Sequence, residues 1–235
     1  MGPLWRANRV KSSGGTDEMT GQEGGAPRKW ESTARVEAIS DGLFAVALTL
    51  LVLDIKVPHA VGPGAALSRQ IWALLPHLGL YAASFLVVGF YWVAHTLVFG
   101  TIERSDRWLL WINLLYLLPV AFLPFATQLL AEYPQHRSAT MFYGADVFLV
   151  GLMQFALWVY AVRGRRLIPA EAEPGPLRAG TRRLALMPLS SLAGVFLALL
   201  SPPLSLAVFV LTPLVYIVTG KPHGVAGRKL PRPRG

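Results

Sequence analysis

Six long apolar segments, separated by short polar ones, follow one another along most of the chain. The first is almost wholly apolar from Ala38 to Leu53. At about 1.5 Å per residue, twenty helical residues reach roughly 30 Å, the thickness of a bilayer's hydrocarbon core. The pattern therefore predicts an all-α integral membrane protein with six transmembrane helices near residues 35–57, 71–99, 108–130, 138–162, 184–200 and 204–219.

The polar segments predict the domain organisation and the orientation. Residues 1–30 are rich in Gly, Ser, Thr and charge and have no apolar run typical of a signal peptide, which predicts a disordered tail. The six helices form one domain at 31–220, and a basic tail follows at 221–235. With six spans, 19 of the 22 Lys and Arg residues fall on one side of the membrane. The positive-inside rule then places both termini in the cytoplasm.

Composition narrows the possible functions. The chain is 53% hydrophobic and lacks Cys, which excludes disulfides, thiolate metal sites and cysteine nucleophiles. The net charge of +9 comes from residues that flank apolar spans, as orientation signals do, so we expect no nucleic-acid partner. Contact of these basic segments with anionic lipid remains open. The five His residues show no ligand spacing, and no phosphate-binding loop or catalytic set is present. We therefore expect no metal, no cofactor and no enzyme activity.

The cytoplasmic end of the first helix carries polar residues that need partners. Arg35 and Asp41 are six positions apart, so they cannot pair on their own helix and must find partners on other helices or subunits. His95, in the inner part of the second helix, is expected at similar depth. We predict a polar cluster comprising Arg35, Ser40, Asp41, His95, Trp111 and Asn113. Such a cluster either only fixes helix packing or also couples helix motion to opening of a pore.

Deeper in the first helix, two stripes run side by side. Val46, Leu50 and Leu53 follow i, i+4, i+7 spacing and form an apolar ridge, with Thr49 beside it. A small-residue face, made of Ala38, Gly42 and Ala45, is suited to close helix contact. From periodicity alone the ridge is either the wall of a narrow pore or a surface that packs against lipid and neighbouring helices.

The segment RVEAISDGLFAVALTLLVLDIKVP resembles the first helix of the transmembrane-protein-175 potassium channels, in particular the bacterial members with a single six-helix unit. The family motif Arg-x-x-x-Phe-Ser-Asp corresponds to Arg35 through Asp41, with Ile39 at the position of the Phe. The similarity extends to residues 84–99 and 109–134.

The resemblance implies a passive, potassium-selective or weakly cation-selective channel, built as a homotetramer in the cell membrane, with potassium ions and membrane lipid as its partners. It further implies that the first helices line the pore, that Val46, Leu50 and Leu53 form an apolar constriction that acts as gate and filter, and that Thr49 contributes to selectivity. This sequence departs from the family pattern at two positions that bear on this role. Ile39 stands where the motif has an aromatic Phe, and Val46 is smaller than the Ile or Leu usual at the first constriction. A proton-leak channel using Thr49 and His95 and a secondary transporter remain alternatives.

Overall fold

The computed structural model describes residues 33–53, 55–56 and 65–219, and these ranges contain helices and connecting turns but no β-strand. The predicted tails at 1–30 and 221–235 lie outside the described residues. The all-α prediction is confirmed for the part of the chain that is described. The helices are α1 (Ala34–Leu53), α2 (Ala65–Ala73), α3 (Leu75–Phe99), α4 (Arg107–Glu132), α5 (Arg137–Val162), α6 (Pro174–Ala198) and α7 (Pro202–Thr219).

Within the part of the chain that the structure describes, four helical segments are long and apolar enough to cross a membrane. They are Ala34–Leu53, Leu67–Phe99, Arg107–Glu132 and Arg137–Arg165. The last two predicted spans correspond to α6 and α7, which differ from the other four. The first part of α6 carries arginines, and the apolar stretch recognised in α7 is the shorter segment Pro202–Pro213.

The predicted second helix, 71–99, is two helices. α2 ends at Ala73 and α3 begins at Leu75, with Pro76 in its first turn. Because proline has no N–H, Pro76 cannot continue the hydrogen-bond ladder of α2, whereas the first turn of a new helix tolerates it. The backbone N–H of Leu74 instead donates to the Ile71 carbonyl at 3.1 Å, and α3 starts afresh.

The predicted linker 163–183 is also corrected, because α6 begins at Pro174, ten residues before the predicted start of the fifth span. Only a short 3-10 turn at Arg163–Arg165 and a loop at 166–173 separate α5 from α6. The arginines within 174–183 end the apolar segment but do not end the helix, since arginine is a good helix former. The hydropathy boundary and the helix boundary are therefore different positions.

Helix packing is closest between α5 and its neighbours α4 and α6, and α7 packs on α6. Two glycines allow the Phe209 ring of α7 to lie against α5 and α6. A Cβ atom on Gly144 or Gly194 would approach that ring to 2.5 Å, so only glycine fits at either position. α1 differs from the other long helices because, among the described helices, it packs only against α3 and α4.

Contacts between connecting segments show which helix ends lie together. At one end the Lys56 ammonium lies 4.0 Å from the Glu132 carboxylate, which brings together the ends of α1 and α4. At the opposite end, the Glu103 N–H donates to the Leu167 carbonyl at 2.8 Å. This bond joins the α3–α4 loop to the α5–α6 loop. Two of the basic segments that were predicted to share one side of the membrane are therefore in contact.

Asp106 strengthens the junction between these two loops. One of its carboxylate oxygens caps α4 by accepting from the Leu109 N–H at 2.8 Å. The other accepts a 2.6 Å hydrogen bond from the Tyr160 hydroxyl of α5 and lies 3.6 Å from the Arg166 guanidinium. One side chain thus fixes the start of α4 against the end of α5.

Candidate functional site

One face of α1 is buried against α3 and α4. Its buried residues follow a helical repeat, so that they share one side of the helix. They are Val36, Ser40, Phe44, Ala47 and Leu51. Four of the five are apolar, which leaves Ser40 as the polar group that this contact must satisfy.

Ser40 begins a buried chain of hydrogen bonds that ties α1 to both of its neighbours. Its hydroxyl donates to the Val36 carbonyl at 2.8 Å and accepts from the Asn113 side-chain amide of α4 at 3.0 Å. The Asn113 carbonyl oxygen in turn lies 2.9 Å from His95 Nε2 on α3. Because that oxygen only accepts, His95 Nε2 carries the proton and donates it. All three side chains are buried.

Aromatic rings hold the imidazole of His95 in place. The Phe99 ring stacks on it with a centroid distance of 4.4 Å, and the Tyr116 ring does so at 5.4 Å with an interplanar angle of 6°. Phe44, from the buried face of α1, lies tilted against it at 5.9 Å. The imidazole is therefore oriented by packing as well as by its bond to Asn113. Its position behind α1 separates it from the exposed faces of that helix.

Asp41 makes the second polar link from α1 to α3. The Trp92 indole N–H donates to the Asp41 carboxylate at 2.8 Å, and both side chains are exposed in the single chain. Trp92 was not among the residues predicted from the sequence to belong to this cluster. Its position in the sequence could have indicated this role. Trp92 is three residues before His95 and so lies one turn away on the same helix, at the depth expected for the partners of α1.

Arg35 and Trp111 do not join this cluster within one chain. Both side chains are exposed, and the structure records no hydrogen bond or ion pair for either among residues 33–53, 55–56 and 65–219. The chain of bonds thus brings together Ser40, Asn113 and His95, with Asp41 linked separately through Trp92.

The apolar ridge lies on faces of α1 that α3 and α4 leave uncovered. The exposed fractions of Val46, Leu50 and Leu53 are 55%, 41% and 73%. Thr49 is also exposed, and its hydroxyl donates to the Val46 carbonyl at 2.8 Å. Because helical residues spaced by three or four share a face, the three ridge residues form one continuous apolar surface.

The small-residue face of α1 is likewise uncovered. Ala38, Gly42 and Ala45 are exposed, and a Cβ atom on Gly42 would meet no atom within 4 Å. One copy of α1 cannot surround a path for ions. A role of the ridge in conduction therefore requires further copies of the chain.

The comparisons with known proteins concern the same elements. A family model described as endosomal/lysosomal potassium channel TMEM175 matches residues 35–124, which contain all the predicted site residues. A potassium channel of Streptomyces collinus is 43% identical over 188 residues, which cover 78% of this chain and 91% of that protein. The chain belongs to the TMEM175 family. The resemblance seen in the sequence is thereby confirmed, and so is the prediction of a membrane protein that is not an enzyme.

A solved TMEM175 structure shares the fold. It is the crystal structure of a lysosomal potassium-selective channel TMEM175 homolog from Chamaesiphon minutus, with a TM-score of 0.70 and 32% sequence identity. The alignment covers 79% of this chain and 96% of that one. Among animal TMEM175 proteins, the endosomal/lysosomal proton channel of Bos taurus is 33% identical over 192 residues, which cover 76% of this chain and 40% of that protein.

Proposed function

We propose that this protein is a passive, potassium-preferring channel of the cell membrane. The observation that carries the proposal is the 43% identity to a potassium channel over 91% of that protein's length. The chain crosses the membrane six times with both termini in the cytoplasm, and 31–220 is its channel domain. The contact between the two basic loops supports this topology, because an even number of spans separates them.

The pore is formed by a homotetramer in which α1 of each subunit faces a common axis. Val46, Leu50 and Leu53 form the constriction, and Thr49 contributes to selectivity. Their exposure in the single chain supports this assignment, since the ridge is available to other copies of the chain. An apolar constriction of this kind stops ions by losing its water, so its width decides whether the pore conducts. The ring of Val46 side chains, one from each subunit, leaves a wider opening than a larger aliphatic residue would leave at that position.

The polar cluster holds α1 in the rotation that presents the ridge. Ser40 and Asp41 are adjacent, so their side chains point about 100° apart, and each is bonded to a different partner. Two such links cannot both be kept if the helix turns about its axis. Arg35 and Trp111, which have no such link to any residue described in the single chain, belong to the same helix ends and are available to a neighbouring subunit.

Two other functions are alternatives to a potassium channel. Proton leak is favoured by the name of the animal relatives, which are proton channels. His95 is poorly placed for it, because its imidazole is buried behind α1 and bonded to Asn113. A secondary transporter would move potassium only with a coupled ion or substrate.

Flux through purified protein in liposomes tests the pore assignment. We expect potassium to move down its electrochemical gradient without a coupled ion, and Leu53→Ala to increase leak and reduce discrimination between potassium and sodium. The matched control is Leu118→Ala, because Leu118 is 69% exposed, close to the 73% of Leu53, but belongs to α4 and is not a ridge residue. Equal effects of the two substitutions would remove the ridge from the pore, and flux that needs a counter-ion would identify a transporter.

A further inference from the structure

A cleft lies between the end of α5 and the first turns of α6. Its volume is about 350 Å³, and it is separate from α1 and from the polar cluster. Loop 166–173 connects its two walls. The residues that line it are Val162, Arg165, Pro174, Leu177, Arg178 and Thr181.

The cleft combines positive charge with an apolar floor. Arg178 is exposed and makes no hydrogen bond or ion pair with any residue that the structure describes. Arg165, on the opposite wall, donates one guanidinium N–H to the Ala172 carbonyl. Val162 and Leu177 line the same cleft and supply its aliphatic surface. The site therefore favours an anion that also carries hydrocarbon.

Nearby carboxylates do not cancel this charge. Glu171 and Glu173 belong to the adjoining part of the chain, but neither forms an ion pair with Arg165 or Arg178 among the described residues. Asp106 is already occupied by Arg166 and Tyr160 on the other side of the loop. Both cleft arginines thus retain N–H groups for a ligand.

The position of the cleft relative to the bilayer limits the kind of anion. The apolar segment that contains α5 runs from Arg137 to Arg165 and ends at the cleft wall. From the end of this span we infer that the cleft lies where the hydrocarbon core meets the headgroup layer. Basic pockets between helices at this level bind lipid headgroups, and arginine matches the geometry of phosphate oxygens.

We propose that this cleft binds the phosphate group of an anionic phospholipid. Arg165 and Arg178 hold the phosphate oxygens, and the glycerol and first acyl methylenes lie over Val162 and Leu177. A free phosphate in the cytoplasm would leave the apolar floor uncovered, which is why the geometry favours a lipid. The proposal concerns binding and does not depend on whether the protein conducts potassium.

Native mass spectrometry of the detergent-purified full chain, with added phosphatidylglycerol or phosphatidylcholine as probes, tests this site. We expect phosphatidylglycerol to be retained in preference to phosphatidylcholine. Arg178→Gln should lower its affinity about fivefold, the change expected for one arginine near a lipid phosphate. The matched control is Arg163→Gln, which removes the same charge from an exposed arginine of the same segment that does not line the cleft.

The outcomes distinguish binding in the cleft from nonspecific attraction of the lipid to the net positive charge of the protein. A loss confined to Arg178→Gln, with unchanged thermal unfolding, supports the cleft. An equal loss in Arg163→Gln overturns it, since only net charge would then matter. Displacement of phosphatidylglycerol by an equal concentration of glycerol phosphate would overturn the lipid as the ligand, because the apolar floor would then add nothing. Normal lipid binding in a protein without potassium flux would contradict the proposed function and leave this site intact.

Discussion

Asn113→Ala is expected to break the connection among α1, α3 and α4 at a single point. Asn113 of α4 is the middle member of the buried chain, bonded to Ser40 Oγ at 3.0 Å and to His95 Nε2 at 2.9 Å. Alanine removes both bonds. Ser40 keeps its bond to the Val36 carbonyl, but His95 is left with an N–H that has no acceptor in a buried site.

The expected loss of stability follows from these contacts. Side-chain hydrogen bonds between membrane helices contribute about 0.6 kcal/mol each on average, so the two bonds amount to about 1 kcal/mol. A buried donor left without a partner costs about 1–3 kcal/mol more. We therefore expect the free energy of unfolding to fall by about 2–4 kcal/mol.

Unfolding by titration with sodium dodecyl sulfate in mixed micelles measures this change. The control is Thr127→Ala, because Thr127 is a buried polar residue of the same helix. Among the described residues, its hydroxyl bonds only to the Leu123 backbone carbonyl of that helix. We expect less than about 1 kcal/mol for that control, since no bond between helices is lost. A double-mutant cycle with Ser40→Ala should give a coupling energy of about 0.6 kcal/mol. Equal losses for Asn113→Ala and Thr127→Ala, or strict additivity in the cycle, would refute the reasoning.

Four further substitutions test other contacts. Gly144→Ala should lower the free energy of unfolding by about 1–3 kcal/mol, because its Cβ would lie 2.5 Å from the Phe209 ring; an unchanged unfolding midpoint would contradict that packing. Asp106→Ala should cost about 2 kcal/mol in the same titration, and Tyr160→Phe less, since only the former also removes the cap of α4; equal losses would argue against the cap. Gly42→Leu should leave the fold of one chain intact, because the space around it is open, yet lower the tetramer fraction measured by light scattering; normal assembly would place that face away from subunit contacts.

The depth of the polar residues was predictable, whereas their side-chain partners were only partly so. Alternating spans require the start of α1, the end of α3 and the start of α4 to lie at one end of the bundle. The sequence alone therefore places Ser40, His95 and Asn113 at a common level. Depth does not specify which face of a helix a residue occupies. Trp111 shares the level of Asn113 but is exposed, because two positions along a helix turn a side chain by about 200°.

The predicted helix boundaries were wrong for a different reason. The hydropathy of a segment indicates whether lipid or water surrounds it, not where its helix ends. α6 extends from apolar surroundings into a polar region without losing its backbone hydrogen bonds. Arg178 and Arg182, which are both exposed and four positions apart, lie on one face of that extension. Conversely, the break between α2 and α3 occurs within apolar sequence, where Pro76 interrupts the ladder and the hydropathy pattern does not change. The position of this helix end is therefore set by the missing N–H of proline and not by hydropathy.

The attachment of α1 explains how, in the proposed channel, a change near the start of this helix reaches the ridge. Apolar packing in a bilayer has no hydrophobic driving force, because the lipid tails are as apolar as the side chains, so polar links weigh heavily in setting the rotation of a helix. For α1, the polar links recorded to α3 and α4 among the described residues come from Ser40 and Asp41, near its start. Leu50 lies ten residues beyond Ser40, or about 15 Å along the helix axis. In the proposed channel, a substitution in the cluster therefore changes the direction in which the ridge faces without touching it, and the cluster acts on the proposed constriction through the stiffness of a single helix.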